Sequence, residues 1–325
     1  MFLARRVAAA VTALLPLAGA FFVFLFPVVD AQAKGICGDD TDIAVLSSPI
    51  APWKGAPLRV VFAAEKQLEG ELSLIAPDGR VVAKSRERHG GPPYFWFAEF
   101  ASPASGTWQA KLASAECGTI TRDIAVRDDR PPSPSATSES VWPLRNTWNR
   151  ATENLYSAWI EKLFDAPLDA APSWPALHEV LRDRSRNLLF NHLGLGEDEM
   201  GLVYRPDCAD LPYFLRAYFA FKMGLPFGYS KCSRGGGGQP PKCYQWFSIQ
   251  HLDAARSSSP EQQTASGAAP AKRTGLAASV GRYVQSTVAD AVHSGTGRTR
   301  ASDDNTDYYP VPLTQETLRP GTVYA

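Results

Sequence analysis

One cysteine lies where reactive cysteines are often found, at the start of a helix. Cys208 falls in the segment Asp207–Pro212, directly before an apolar stretch from Tyr213 to Met223. Because that stretch is apolar on nearly every side, it predicts a buried helix. Pro212 has no N–H group to donate back to residue 208, so we expect Asp210 to be the N-cap residue.

The chemistry expected of Cys208 is nucleophilic attack by a thiolate. Unpaired amide groups and the positive end of the helix dipole stabilise a thiolate, and thiols at such positions have a lower pKa than the free value of about 8.5. The carboxylates of Asp207 and Asp210 act in the opposite direction, so a histidine partner is required. The alternative is a structural cysteine in the core.

Two histidines are candidates for the general base. His293 ends an amphipathic stretch, where the simpler interpretation is a cation near a helix C-terminus. His251 follows the predicted strand Trp246–Ile249, 43 residues after Cys208. A histidine on a strand at this separation would suit a transglutaminase-like arrangement, which also needs an aspartate to orient the ring. Asp253 is the nearest one.

In an oxidising compartment the cysteines are expected to form disulfides. Since there are five of them, at least one is left unpaired. Cys37 and Cys117 bracket the first domain, whereas Cys232 and Cys243 flank a loop with four consecutive glycines. We expect these two pairs to close, which leaves Cys208 as the free thiol.

The first 33 residues predict export from the cytoplasm. A basic pair, Arg5-Arg6, precedes an apolar run from Val7 to Val29, and Ala31-Gln32-Ala33 offers a small-x-small cleavage site. The alternative is an uncleaved anchor, since the run is long enough to cross a bilayer. In either case the remaining residues face the periplasm or the exterior.

The composition and motifs exclude several classes of function. Lys+Arg and Asp+Glu both number 33, so no net charge attracts nucleic acid or anionic lipid. The sequence has no zinc spacing and no nucleotide-binding loop, and the acidic stretch Asp303–Asp307 lacks the glycine and distal glutamate of a calcium loop. We therefore expect no metal, no cofactor, no nucleic acid and no membrane contact beyond the signal segment.

Residues 35–127 predict an all-β module. Seven short segments rich in β-forming residues, with turn signals between them, fit a small sandwich held by a Cys37–Cys117 bridge. This module resembles the immunoglobulin-like modules that precede many bacterial wall enzymes. The predicted strands are Ile43–Leu46, Leu58–Phe62, Glu71–Ile75, Arg80–Lys84, Tyr94–Phe100, Trp108–Leu112 and Ile120–Val126.

A proline- and serine-rich linker at residues 128–142 separates this module from a region with helical periodicity. Apolar positions there predict a helix over residues 148–163, a second from Ser173 to Gly194 and an amphipathic helix over residues 276–292. Residues 254–274 are of low complexity and predict a disordered insertion.

Two short stretches resemble a known family. Asp207-Cys208-Ala209-Asp210-Leu211 resembles the Asp-Cys-Ser-Gly-Leu signature of the NlpC-type cell-wall cysteine peptidases, with Ala-Asp in place of Ser-Gly. Leu318-Arg319-Pro320-Gly321-Thr322 resembles that family's Leu-x-Pro-Gly-Asp segment, with Thr322 in place of the aspartate. The resemblance implies a papain-like fold, Cys208 as nucleophile and a histidine on the strand after the Pro-Gly turn. Because the sequence stops at Ala325, we expect this domain to be incomplete at its C-terminus.

Together these features predict two domains. An immunoglobulin-like sandwich comes first, and an α+β papain-like domain with a helical lead-in covers residues 143–325. The expected function is that of an exported cysteine peptidase or amidase that acts on the stem peptides of peptidoglycan. The alternatives are a transglutaminase-like acyl transferase and, from a different class, a non-catalytic envelope-binding module with a degenerate enzyme domain.

Overall fold

The computed structural model describes residues 43–132, 140–250, 275–293, 295–296, 307–308, 311–314 and 317–323. The described residues all belong to one compact unit. The predicted signal segment, the predicted insertion at 254–274, Cys37 and His251 lie outside the described residues, so the expectations placed on them stay predictions.

The N-terminal part of the chain is a sandwich of antiparallel strands. Its strands are β1 (Ile43–Ser48), β2 (Leu58–Ala64), β3 (Glu71–Ile75), β4 (Val81–Ser85), β5 (His89–Gly90), β6 (Tyr94–Phe100), β7 (Gly106–Ser114) and β8 (Gly118–Val126). One sheet has the order β1-β2-β6-β5 and the other the order β4-β3-β7-β8. The first corresponds to the A-B-E-D sheet of an immunoglobulin fold, and the second to its C-F-G sheet with one added edge strand.

The predicted β-sandwich is therefore confirmed. All seven predicted strands are present, with ends that differ from the prediction by at most two residues. The two-residue strand β5 is an addition, in which His89 pairs with Phe95. The alternation of apolar and polar residues predicts these elements well because one face of each sheet has to be buried.

Strand β2 is buried on both of its faces from Val60 to Ala64, which explains the continuous apolar run there. Val60 and Phe62 point into the space between the two sheets. Val61 and Ala63 point the other way and pack in a second core with helix α1 (Arg150–Phe164). The sandwich and the helical region thus share an apolar layer, in agreement with their grouping as one compact unit.

The rest of the described chain combines helices, one two-stranded sheet and long irregular segments. Helix α3 (Asp210–Met223) is central, and almost all of its apolar side chains are buried, as predicted. The elements after α1 are α2 (Leu177–Leu181), a π-helical turn (Glu197–Gly201), α3 (Asp210–Met223), the strands β9 (Gly228–Cys232) and β10 (Cys243–Ser248), and α4 (Leu276–Arg282), which continues in π-helical geometry through Tyr283–Val288.

The predicted second helix, from Ser173 to Gly194, is wrong. Only α2 is helical in this stretch, and turns follow it. The side-chain amide of the buried Asn187 donates to the carbonyl of Leu181 at 2.6 Å. That carbonyl would otherwise accept from the next helical turn, so the side chain competes with continuation of the helix.

A papain-like C-terminal domain finds no support in the described residues. There, β9 and β10 form a two-stranded antiparallel sheet with no third strand. The segment expected to open a strand, Leu318–Thr322, is a turn whose Gly321 lies against Tyr156 of α1. Within the described part of the chain, no helix is both long enough and apolar enough to cross a membrane.

Candidate functional site

Cys208 is a free and exposed thiol immediately before α3. The carboxylate of Asp207 accepts hydrogen bonds from the amides of Ala209 at 2.8 Å and Asp210 at 2.9 Å. Asp207 therefore caps the turn that leads into the helix, whose own N-cap residue, Ala209, has no side-chain cap. Asp210, the N-cap residue predicted from the sequence, is instead its first residue, and burial together with the charge of Asp207 raises the pKa of its carboxyl group.

This cap changes the surroundings expected for the thiol. Two amides at the helix start, which would stabilise a thiolate at Cys208, already donate to a carboxylate. Among the described residues, no side chain forms a hydrogen bond with the Cys208 sulfur. The helix thus holds the thiol in an exposed position and supplies it with less electrostatic support than predicted.

His293, the first predicted base, lies between two backbone groups. Its Nε2 lies 2.6 Å from the carbonyl oxygen of Cys232, and its Nδ1 lies 3.0 Å from the amide nitrogen of Gly295. The amide must donate to Nδ1, so Nε2 carries the proton and donates to the carbonyl. Both ring nitrogens are occupied, and the ring fastens the end of the α4 segment to β9.

The other described histidines also have structural positions. Nδ1 of His178 contacts the backbone of Tyr204 at 2.9 Å, and His89 stacks on Phe95 in the sandwich. His192 is fully buried, and desolvation, reinforced by the positive charge of Lys222, lowers its pKa to about 3. His251, the second predicted base, lies outside the described residues and stays a candidate.

The predicted disulfide between Cys232 and Cys243 is confirmed, with an S–S distance of 2.04 Å. It joins the outer ends of β9 and β10 and closes the glycine-rich loop between them. Cys117 is also disulfide-bonded, and its predicted partner, Cys37, lies outside the described residues. The free thiol of Cys208 thus occurs in a chain that forms disulfides elsewhere.

One carboxylate links this hairpin to the first turns of α3. Asp307 accepts from the hydroxyl of Tyr213 at 2.8 Å, from the amide of Ser230 at 2.7 Å and from the hydroxyl of Ser230 at 2.7 Å. Burial and the nearby charge of Asp307 raise the pKa of Tyr213. The acidic stretch that ends at Asp307 therefore contributes a structural bridge, and the hairpin lies beside the start of the helix.

A buried ionic cluster lies at the opposite end of α3, and sequence reasoning missed it. The ammonium group of Lys222 is 2.5 Å from carboxylate oxygens of both Glu197 and Asp198, and all three side chains are fully buried. Tyr218 donates to Asp198 at 2.8 Å. Charged residues this deep are rare unless they are paired.

The protonation of this cluster is set by burial and by Lys222. Desolvation, with the charge of Glu197, raises the pKa of Asp198. Desolvation acts on Glu197 in the same direction, but the attraction of Lys222 and hydrogen bonds outweigh it and lower the pKa of that carboxyl. Burial thus favours the neutral form of Asp198, whereas Lys222 favours the charged form of Glu197.

The described residues contain no group of three or more histidine, cysteine or acidic side chains able to hold a metal ion. The Lys222 cluster has its charges satisfied internally, and its closure leaves no route for a substrate. Two accessible features of the described chain remain as candidates, the Cys208 thiol and the disulfide-closed hairpin.

The comparisons with known proteins identify no family. No family model and no curated relative matches the chain. It is similar to a thermostable endoglucanase from Alicyclobacillus acidocaldarius (14% identity, TM-score 0.18, 38% of this chain and 18% of that one). It is also similar to chitinase ChiW from Paenibacillus sp. str. FPU-7 (17% identity, TM-score 0.19, 29% and 9%).

A further similarity is to the Ig1 domain of mouse SynCAM 2 (11% identity, TM-score 0.19). The match covers 27% of this chain and 98% of that domain. The chain spans less than a fifth of the endoglucanase and of the chitinase. At these identities and TM-scores the similarities carry no argument about function.

Proposed function

We propose that this chain is an exported envelope protein whose Cys208 attacks peptide or amide bonds in the stem peptides of peptidoglycan. The observation that carries the proposal is the exposed free thiol at the start of a buried helix, in a chain whose other described cysteines are disulfide-bonded. Disulfides persist mainly outside the cytosol, which supports the export that the first 33 residues predict.

The order of elements gives further support. A cysteine precedes a buried helix, and an antiparallel hairpin follows and is joined to that helix through Asp307. The resemblance to NlpC-type peptidases implies only the first part of this order, a nucleophilic cysteine directly before a buried helix. Within this chain, His251 is the base of the proposal, because the rings of His293 and His178 are bonded to backbone groups and His192 is fully buried.

A non-catalytic binding module is the second candidate. It is favoured by the Asp207 carboxylate, which occupies amides that a catalytic thiolate would use. In this alternative Cys208 has no chemical role, and the exposed hairpin carries the binding function.

Labelling and turnover separate the two candidates. We expect iodoacetamide to label Cys208 faster in the folded protein than in the urea-unfolded chain, and we expect release of a labelled stem peptide to be lost in Cys208→Ala and His251→Ala. His293→Gln is the matched control, since glutamine can still donate to the Cys232 carbonyl, and it should retain turnover. Addition of a primary amine tests transglutaminase-like transfer, which would yield the amine adduct in place of the hydrolysis product.

Labelling no faster than in the unfolded chain, combined with no release of peptide, would overturn the catalytic proposal and leave the binding module. Turnover that persists in Cys208→Ala would reject Cys208 as the nucleophile.

A further inference from the structure

The hairpin from Gly228 to Ser248 exposes aromatic side chains that a core would normally cover. Tyr244 and Trp246 of β10 are 67% and 55% exposed. A β-carbon placed on Gly228 would lie 2.2 Å from the Trp246 ring, so the indole rests directly on the glycine backbone. A glycine in the strand therefore fixes the position of an exposed tryptophan.

The same segment carries positive charge without compensation. Residues 228–246 contain Lys231, Arg234 and Lys242 and no aspartate or glutamate. All three cations are exposed, and none pairs with a carboxylate of the described residues. Elsewhere in the chain several surface arginines have carboxylate partners, as Arg150 has Glu65 at 2.6 Å. The hairpin is thus a cationic surface on a chain whose net charge is zero.

One edge of the hairpin is open in the described structure. The amide of Ser230 donates to Asp307 and is turned away from β10. Ser230 and Trp246 are directly opposite each other, so they form a pair without mutual hydrogen bonds, and the Trp246 N–H and C=O point to the outer edge of β10. No described strand pairs with that edge. Unpaired strand edges accept added strands.

We propose that the outer edge of β10 binds an extended acidic peptide as an added strand. Main-chain hydrogen bonds would run to the edge at Trp246, the two exposed aromatics would contact side chains of the peptide, and the three cations would attract its carboxylates. Arg234, Lys242 and Tyr244 also line an open groove of about 620 Å³ beside the loop. The disulfide holds this loop closed. The inference does not rest on thiol chemistry at Cys208.

The preference for an acidic peptide is tested with two synthetic peptides of about eight residues, which is slightly longer than β10. One alternates glutamate and valine, and the other alternates lysine and valine. We expect fluorescence anisotropy to show saturable binding of the acidic probe, weakened by added salt, and no binding of the basic probe. The double variant Lys231→Glu/Lys242→Glu should weaken binding at least about tenfold.

Matched controls separate this site from general electrostatics. Arg122→Glu reverses an exposed cation on β8 of the sandwich and should change binding less than about twofold. Cys208→Ala should leave binding unchanged, so a failure of the proposed catalysis does not affect this result. Trp246→Ala should weaken binding while circular dichroism shows a folded protein.

Binding as an added strand is tested by N-methylation of alternate backbone amides of the acidic peptide. This change keeps the charge of the peptide and removes its backbone hydrogen-bond donors. At least about tenfold weaker binding is expected. Equal binding of the methylated probe would overturn strand addition. No binding of the acidic probe, or saturable binding of polygalacturonate in its place, would overturn a peptide as the occupant.

Discussion

The two ends of α3 hold reactive or charged groups in opposite environments. At the N-terminal end, Cys208 is exposed, and its neighbour Asp207 caps the turn that leads into the helix. At the C-terminal end, Lys222 is fully buried between Glu197 and Asp198. The comparison shows that burial decides what a polar group can do. The exposed thiol is available to a substrate, whereas the buried ions are committed to each other.

The same contrast explains why the buried electrostatic cluster is not the functional candidate. Removing three charges from water costs several kcal/mol per ion, and only close pairing and hydrogen bonds offset that cost. Lys222, Glu197, Asp198 and Tyr218 satisfy this condition with one another. We therefore assign the cluster to stability and specificity of the fold.

Removing the cation from the buried cluster at the C-terminal end of α3 should have the largest effect on stability. Lys222→Met leaves two carboxyl groups in the core without their cation, and we expect the free energy of unfolding to fall by about 3–5 kcal/mol. Urea unfolding followed by circular dichroism measures this. Lys242→Met, at an exposed lysine of the hairpin, is the control and should cost less than about 0.5 kcal/mol. A Lys222→Met protein within about 1 kcal/mol of the parent would show that the cluster is not an ionic one.

Acid should destabilise the buried end through His192. Its pKa is about 3 in the folded chain against an ordinary value of 6.5, because burial and then Lys222 and Arg145 disfavour the charged ring, with Glu197 opposing. Between pH 6.5 and 3 the unfolded chain takes up a proton that the folded chain does not. Stability should therefore fall on acidification, by up to about 1.4 kcal/mol per pH unit from this group.

The measurement is the slope of unfolding free energy against pH in the parent and in His192→Gln, which cannot titrate. The variant should have the shallower slope. His89→Gln is the matched control, because His89 is only half-buried and its pKa is lowered by burial to a lesser extent. Equal slopes in the parent and in His192→Gln would contradict the assignment.

A substitution at Asp207, before the N-terminal end of α3, should have the smallest effect on stability. It should also change the reactivity of the Cys208 thiol. Asp207→Ala removes two hydrogen bonds that cap the turn before α3 and should lower the free energy of unfolding by about 1 kcal/mol. It also frees the amides of Ala209 and Asp210, so the iodoacetamide labelling rate of Cys208 should rise. Asp207→Asn keeps an oxygen that can accept from these amides and removes the charge, so it separates the two causes. No change in labelling with either variant would show that the cap does not influence the thiol.

Short-range sequence patterns predicted the strands and helices that bury one face and expose the other. The sandwich strands alternate, the helix at 148–163 corresponds to α1, and Val280, Val284, Val288 and Val292 are all buried as a stripe. The disulfide between Cys232 and Cys243 followed from the loop between them, which brings two neighbouring strands together. In these cases the residues that interact are close in sequence, so short-range periodicity contains the information.

The hydrogen bonds of Asp207 and of His293 could not be predicted from the sequence. Asp207 and Asp210 are both plausible caps for α3, and only the backbone path shows that Asp207 accepts the amides. His293 was a reasonable base from its position after a helix. The structure instead places its ring between the Cys232 carbonyl and the Gly295 amide. Hydrogen bonds across about sixty residues leave no local signature.

By itself the sequence determined the strands of the sandwich, the buried helix α3, and a single cysteine left over at the start of that helix, because each depends on residue type and local spacing. Only the tertiary structure decided that the sandwich and the helical region share a core through β2, and that Lys222 meets two carboxylates inside it. It also decided that the edge of β10 is open among the described residues. These features arise where distant segments pack together, and the free energy of that packing is not encoded in any one segment.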